Sequence, residues 1–366
     1  MGRTMTSYNR IVVTGSLLAV FGLLLTPVSG QQRRTSSGAP TGIAGLLDPA
    51  DNTTLPRTSW GDPDFRGVWN NSNRTPLEHR TEAEIERGQL AREAVIAATS
   101  GTGAAWVEQV GEGVRQSLVI DPPSGRIPEL LPTAKQRLID RENARAGRGE
   151  ADSWLDRNSW ERCITRTMPV MMIPNIYNAN YHILQTSDHV AILVEMIHES
   201  RIIPLDGRPH VADGVRQWLG DSRGRWEGDA LVVETERFNN RLDGGDYQPS
   251  HIIQTGHRGP GGTLRLVERF RMVDANTIDY QFTVEDSKTY TRPYTVAIPM
   301  TRRDTREPLN HLFEYACHEG NHGMMNLLSG GRTDEQQALD LAALVSQQRK
   351  EAGHPGVREP AVPFVP

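Results

Sequence analysis

The two-residue alternation that runs through residues 180–300 constrains the fold more than any other feature of the chain. Residues 181–185 and 190–197 are β-prone runs separated by the polar stretch Thr186-Ser187-Asp188-His189, which predicts a hairpin. Further strands are expected at 201–205, 230–236, 263–273, 277–285 and 290–300, with Asp-Ala-Asn and Asp-Ser-Lys turns between the last three. Leu264, Leu266, Glu268, Phe270 and Met272 fall on one side of their strand, and Arg265, Val267, Arg269 and Arg271 fall on the other. One face of the sheet should therefore be apolar and the other wet. A meander of this kind closes as a barrel or folds as a sandwich. Closure removes the exposed edges, so the expected fold is mainly β, an antiparallel meander closing as a barrel.

Composition agrees. The 366 residues are 37% hydrophobic and 23% charged, enough for one large domain or two modest ones with a real core, while 34 Gly and 23 Pro predict many turns and argue against a long helical bundle. Forty basic against 45 acidic residues, with no basic run, exclude nucleic acid as the expected partner.

Residues 1–30 read as a signal peptide. Arg3 and Arg10 precede an apolar run over 11–25, broken only by Thr14, Gly15, Ser16 and Gly22, and Pro27-Val28-Ser29-Gly30 supplies small residues for cleavage. The competing reading is a retained single-span anchor, for which the run is short. No Cys sits near the cut and no twin Arg is present, so the Sec route to the periplasm or medium is expected, with no stable membrane insertion after cleavage. Losing Arg3 and Arg10 shifts the net charge from −5 to −7. In an oxidising compartment Cys163 and Cys317 either pair, closing a loop worth about 4–5 kcal/mol in the chain-entropy model, or remain two buried thiols.

Residues 31–64 are rich in Ser, Thr, Gly and Pro and read as a flexible tail, with packing expected from Phe65. The β-rich domain then spans 65–330. A helical insertion is expected at about 80–150: Thr81 with Glu84 forms a capping pair ahead of a helical pattern to residue 99, and residues 132–146 repeat the logic with Leu138 and Ile139 on one face. The remainder, 331–366, reads as a C-terminal helix over 333–352 and a Pro-rich tail. Phe65-Arg66-Gly67-Val68-Trp69 contains a Gly-x-Trp that resembles the opening strand of lipocalin-like barrels, which implies a Trp closing the barrel floor.

The stretches IIPLDGRPH (202–210), WLGDSRGRWEGD (218–229) and YACHEGN (315–321) resemble those of a widespread set of uncharacterised exported bacterial proteins, with the likeness covering roughly 154–330. The resemblance implies export and a β-rich body; it brings no activity and no catalytic residues. The members of that set usually carry a residue such as Tyr where this chain has His322.

Several motifs carry candidate chemistry. His318-Glu319-Gly320-Asn321-His322 matches H-E-x-x-H, in which two His one helical turn apart hold zinc beside a Glu base. Gly and Asn are weak helix formers and no third ligand lies between His322 and Glu335, so no metal or other cofactor is expected; a turn fixed by His318 and Glu319 is the plainer reading, and a zinc hydrolase the alternative. Nine of the eleven His lie between His182 and His322. Glu195 interrupts an apolar strand and points either into a cavity, where burial would raise its pKa, or to solvent. Asp206-Gly207-Arg208-Pro209-His210 offers a clamp at the barrel mouth, or a turn closed by an Asp206–Arg208 bond. Tyr181, Trp218 and Trp226 are candidates to line a site for a flat apolar ligand. No nucleophile elbow or dinucleotide fingerprint is present. The leading expectation is therefore binding of a small, partly apolar molecule in a barrel cavity. The alternative is a cofactor-independent lyase, isomerase or hydrolase built on a Glu/His pair, with Glu195, His210, His318 and Glu319 as catalytic candidates and His198 as a further His.

Overall fold

The computed structural model describes residues 55–86, 115–144, 147, 152–175, 178–240, 261–319 and 321–351. The expected signal peptide, most of the tail before Leu55, the continuation of the first helix beyond residue 86 and the tail after residue 351 lie outside the described residues.

The protein is mainly antiparallel β, a nearly closed barrel of nine strands with few helices and a long C-terminal one. Strands β1 (Gly67–Asn70), β2 (Val119–Asp121), β3 (Asn180–Gln185), β4 (His189–Val194), β5 (Ser200–Pro204), β6 (Asp221–Glu227), β7 (Ala230–Glu236), β8 (Arg265–Asp274), β9 (Thr277–Glu285) and β10 (Tyr294–Arg302) are ordered β5-β4-β3-β1-β10-β9-β8-β7-β6, and short β2 pairs with β10 outside that path. The alternation of β8 holds: Leu266, Glu268, Phe270 and Met272 are buried while Arg269 is exposed. β7 and β9 span the residues their patterns predict. β4 stops at Val194, short of the expected Ile197, because Glu195 begins a 3₁₀ turn over Met196–His198. β6, legible in sequence only as a Gly-containing hairpin run, joins β7 through Gly228 (φ 61°) and Asp229. Gly supplies the left-handed backbone such a tight loop needs.

Each neighbouring pair along the path is antiparallel, so an odd number of strands leaves the two end strands, β5 and β6, running the same way. Among the described residues no backbone ladder joins them; side chains do. Gly224 on β6 makes the approach possible, because a Cβ there would lie 2.6 Å from Leu205 Cδ2 and 2.8 Å from Ile203 Cγ2. The barrel therefore has a seam. The connection from β5 to β6 crosses it, anchored by Arg223, whose Nε donates to the Pro209 carbonyl at 3.0 Å.

Trp69 is fully buried, its Nε1 donates to the Phe65 carbonyl at 2.8 Å, and the Arg302 guanidinium lies over its ring at 4.2 Å. Gly67 (φ 131°) leaves room for this, since a Cβ would meet Arg302 Nη1 at 2.6 Å. The interior is occupied by one contiguous apolar core that includes Phe65, Tyr181, Phe270, Tyr280 and Phe282. In the region of the expected helical insertion, Thr81 and Glu84 do cap a helical turn, the Thr81 N–H donating to Glu84 Oε2 at 2.8 Å and the Glu84 N–H to Thr81 Oγ1 at 3.3 Å. Helix α1 spans Pro132–Ala144. Between them lies β2, which sequence patterning did not reveal. The C-terminal helix α2, His322–Glu351, begins eleven residues before the expected start at Thr333, running through Gly323, Gly330 and Gly331. No described helix is long and apolar enough to cross a membrane.

Candidate functional site

The polar centre of the barrel is built on β5, where Arg201 alternates with Ser200 and Ile202 and so faces inward with Ile203. Arg201 is 3% exposed and Glu268 on β8 is 0% exposed. The two form a forked pair, Nη1 to Oε1 at 2.9 Å and Nη2 to Oε2 at 2.5 Å. Tyr280 on β9 donates its hydroxyl to Glu268 Oε1 at 2.9 Å, and Ser222 and Thr235, 2.9 Å from each other, stand beside Arg201 Nη2 at 3.4 and 3.5 Å. This cluster crosses the seam. Burial works against the Arg201 charge, but Glu268 outweighs it and holds the guanidinium above its ordinary value; burial likewise pushes the Tyr280 phenol well up. Arg201 Nε is buried with no hydrogen-bond partner among the described residues.

The network continues toward the end of the barrel. Glu199, two residues before Arg201 on the same side, accepts the Arg166 N–H at 3.2 Å. Burial raises its carboxyl above the usual range against the opposing pull of the Thr165 hydroxyl and Arg166. The turn that delivers it is strained. Ile197 (φ 63°) and His198 (φ 47°) are consecutive left-handed residues, and Cys163 (φ 56°) and Thr167 (φ 62°) flank the segment that Glu199 touches. Such conformations cost about 1–3 kcal/mol each for non-Gly residues and persist where surrounding structure enforces them. The enforcement is visible: His198 Nδ1 donates to the Tyr315 carbonyl at 2.7 Å, and a Cys163–Cys317 disulfide ties the 313–319 segment down. The disulfide fits a protein of an oxidising compartment.

Glu195 belongs to this end. It is 2% exposed, but it lies past the end of β4 and acts as a clamp, accepting Asn180 Nδ2 at 2.8 Å and the Phe313 N–H at 3.0 Å. Tyr181 is buried in the core, donating to the Met171 carbonyl and accepting from Asn71 Nδ2, both at 2.9 Å; burial raises its phenol. His318 and Glu319 are exposed on the segment before α2, and His322 is the first residue of that helix, so His318 and His322 do not share a helical face. No group of three or more His, Cys, Asp or Glu among the described residues is placed to hold a metal ion.

At the seam mouth, Arg208 is exposed and paired with Asp206 in a turn, which draws the Asp206 carboxyl down to about 2. His210 is two residues away but partners elsewhere. Its Nδ1 lies 2.8 Å from Asp221 Oδ2, while Arg223 Nη1 lies 2.8 Å from Asp221 Oδ1. An imidazole held this way by a carboxylate has a fixed orientation and one ring nitrogen left for other contacts. Trp218 packs partly buried against the core, and Trp226 on β6 stacks on Phe65 at 5.8 Å between centroids, its buried Nε1 without a partner among the described residues.

Sequence reasoning singled out neither Arg201, Glu199 nor Glu268. A signal existed: Glu268 stands in phase with the apolar strip of β8, and Arg201 stands in phase with Ile203 and Leu205. A charged residue in phase with a buried strip has to find a partner inside. Fold and centre together define a seamed antiparallel barrel with an ion pair at its heart. No family model matches the chain, and no curated protein or solved structure matches it either.

Proposed function

We propose that the chain is an exported protein of the periplasm or medium that binds a small, partly apolar molecule inside its barrel, entering at the β5–β6 seam. The observation that carries this reading is the Arg201–Glu268 pair, fully buried across the seam with Arg201 Nε unpaired. A buried ion pair stabilises a fold little more than well-packed apolar side chains would, and a buried donor without an acceptor costs about 1–3 kcal/mol. A ligand that supplies the acceptor accounts for both. The seam supplies the route, since side-chain contacts there can part without breaking a ladder. The apolar run at 11–25 and the disulfide support the compartment.

The test is a titration with the uncharged hydrocarbon dye diphenylhexatriene. Saturable uptake of one equivalent, with a rise in Tm that grows with dye concentration, is expected. Uptake that never saturates, or none, overturns the reading.

A second reading, cofactor-independent acid–base chemistry on the same ligand, is favoured by one observation: Glu199, kept toward its neutral form by burial, sits beside His198 on a strained turn. Its hydrolase form predicts cleavage of p-nitrophenyl acetate that Glu199→Gln removes. Equal rates in the two proteins refute it.

A further inference from the structure

We infer that the ligand is uncharged and presents a carbonyl-type oxygen to Arg201 Nε at the seam; this rests on the barrel-binding reading above. Three observations converge. First, the unpaired groups on the two seam strands are both donors, Arg201 Nε on β5 and Trp226 Nε1 on β6. A ligand that satisfies them must accept hydrogen bonds. Second, the site already balances its charge. Arg201 and Glu268 neutralise each other bidentately. An anionic ligand would face Glu268 and a cationic one Arg201, each in a medium where an uncompensated charge is heavily penalised. Third, the core side chains packed beside the ion pair are aromatic. Phe270 and Tyr280 lie 4.6 Å apart between centroids, and Tyr280 and Phe282 6.0 Å. They suit a planar apolar body whose oxygen is its polar handle.

A water molecule is the competing acceptor, and it needs two to four polar partners of its own. The hydroxyls of Ser222 and Thr235 stand beside Arg201 Nη2, at 3.4 and 3.5 Å, and bond each other at 2.9 Å.

The experiment compares three dyes on the whole protein: Nile red, uncharged, planar and carrying a carbonyl; diphenylhexatriene, uncharged without an acceptor; and anilinonaphthalene sulfonate, an anion. Nile red is expected to bind about tenfold tighter than the anion, because the sulfonate brings an uncompensated charge beside Glu268 into a site that is already neutral. Arg201→Lys keeps the charge opposite Glu268 but lacks the Nε–H. The variant Arg201→Met/Glu268→Leu/Tyr280→Phe replaces the cluster by apolar side chains of similar size and keeps the barrel packed. In both, Nile red affinity is expected to fall about tenfold while diphenylhexatriene affinity holds. Nile red binding that is equal in the wild type and both variants, with diphenylhexatriene still saturating, overturns this inference and leaves the binding reading intact. Preference for the anion overturns it too. If diphenylhexatriene does not saturate, the binding reading itself falls.

Discussion

Removing Glu268 alone should be the most damaging single change to the barrel interior. Glu268→Ala leaves Arg201, 3% exposed, with both terminal nitrogens stripped of their counter-charge, and leaves the Tyr280 hydroxyl without its acceptor. Breaking a buried pair by deleting one partner costs about 3–5 kcal/mol. At roughly 2–4 °C per kcal/mol for a domain of this size, the Tm should drop by about 10 °C. The apolar triple variant Arg201→Met/Glu268→Leu/Tyr280→Phe removes the charge, its partner and the stranded hydroxyl together, and it should lie within about 1 kcal/mol of the wild type or above it. Urea unfolding at pH 7 with the disulfide intact measures both, read as a change in midpoint at constant slope. A single variant within 1 kcal/mol of wild type, or a triple variant as unstable as the single one, would refute the view that the buried charge needs its partner and that the pair is not there for stability.

Replacing both cysteines by Ser opens a cross-link between residues 154 apart and should cost about 5 kcal/mol on the chain-entropy model; equal urea midpoints would contradict it. Gly224→Val places a side chain where Leu205 and Ile203 already stand and should cost about 1–3 kcal/mol, measured against Gly228→Val, where the space is open and only the left-handed backbone objects. Glu199 has a folded-state pKa raised above 4.5 by burial, so its contribution is fully present below 4.5 and is lost as pH rises through the folded value. Glu199→Gln should therefore be more stable than wild type at pH 7, and the two Tm curves should converge below pH 4.5; parallel curves would rule this out. Glu195→Ala leaves the Phe313 N–H and Asn180 Nδ2 without acceptors and should cost about 2–4 kcal/mol, with loss of order in the 313–319 segment by hydrogen exchange as the second readout.

The strands were legible because burial on one face writes a period of two into the sequence, and β7, β8 and β9 are long enough for that period to stand out. β2, three residues long, carries too few alternations to register, and β6 is masked by Arg223, Gly224 and Arg225, whose roles depend on neighbours far along the chain. The end of β4 was hidden for a related reason. Met196 and Ile197 continue the apolar run, yet Glu195 turns the chain because Asn180 and Phe313 hold its carboxylate. A clamp between residues so far apart in sequence leaves no local trace.

What the sequence determined by itself was the face of each long strand and hence a mainly antiparallel β architecture, because alternation is a local property of side chains. What only the tertiary structure decided was which strands became the two ends of the sheet, and so which charges met. Arg201 and Glu268 are separated by 67 positions and become partners because the barrel closes β5 against β6. His210 takes Asp221 rather than Asp206 because the connection across the seam folds back on the strand it leads into. Partner choice of this kind is set by the closure of the chain in three dimensions, and proximity in sequence does not encode it.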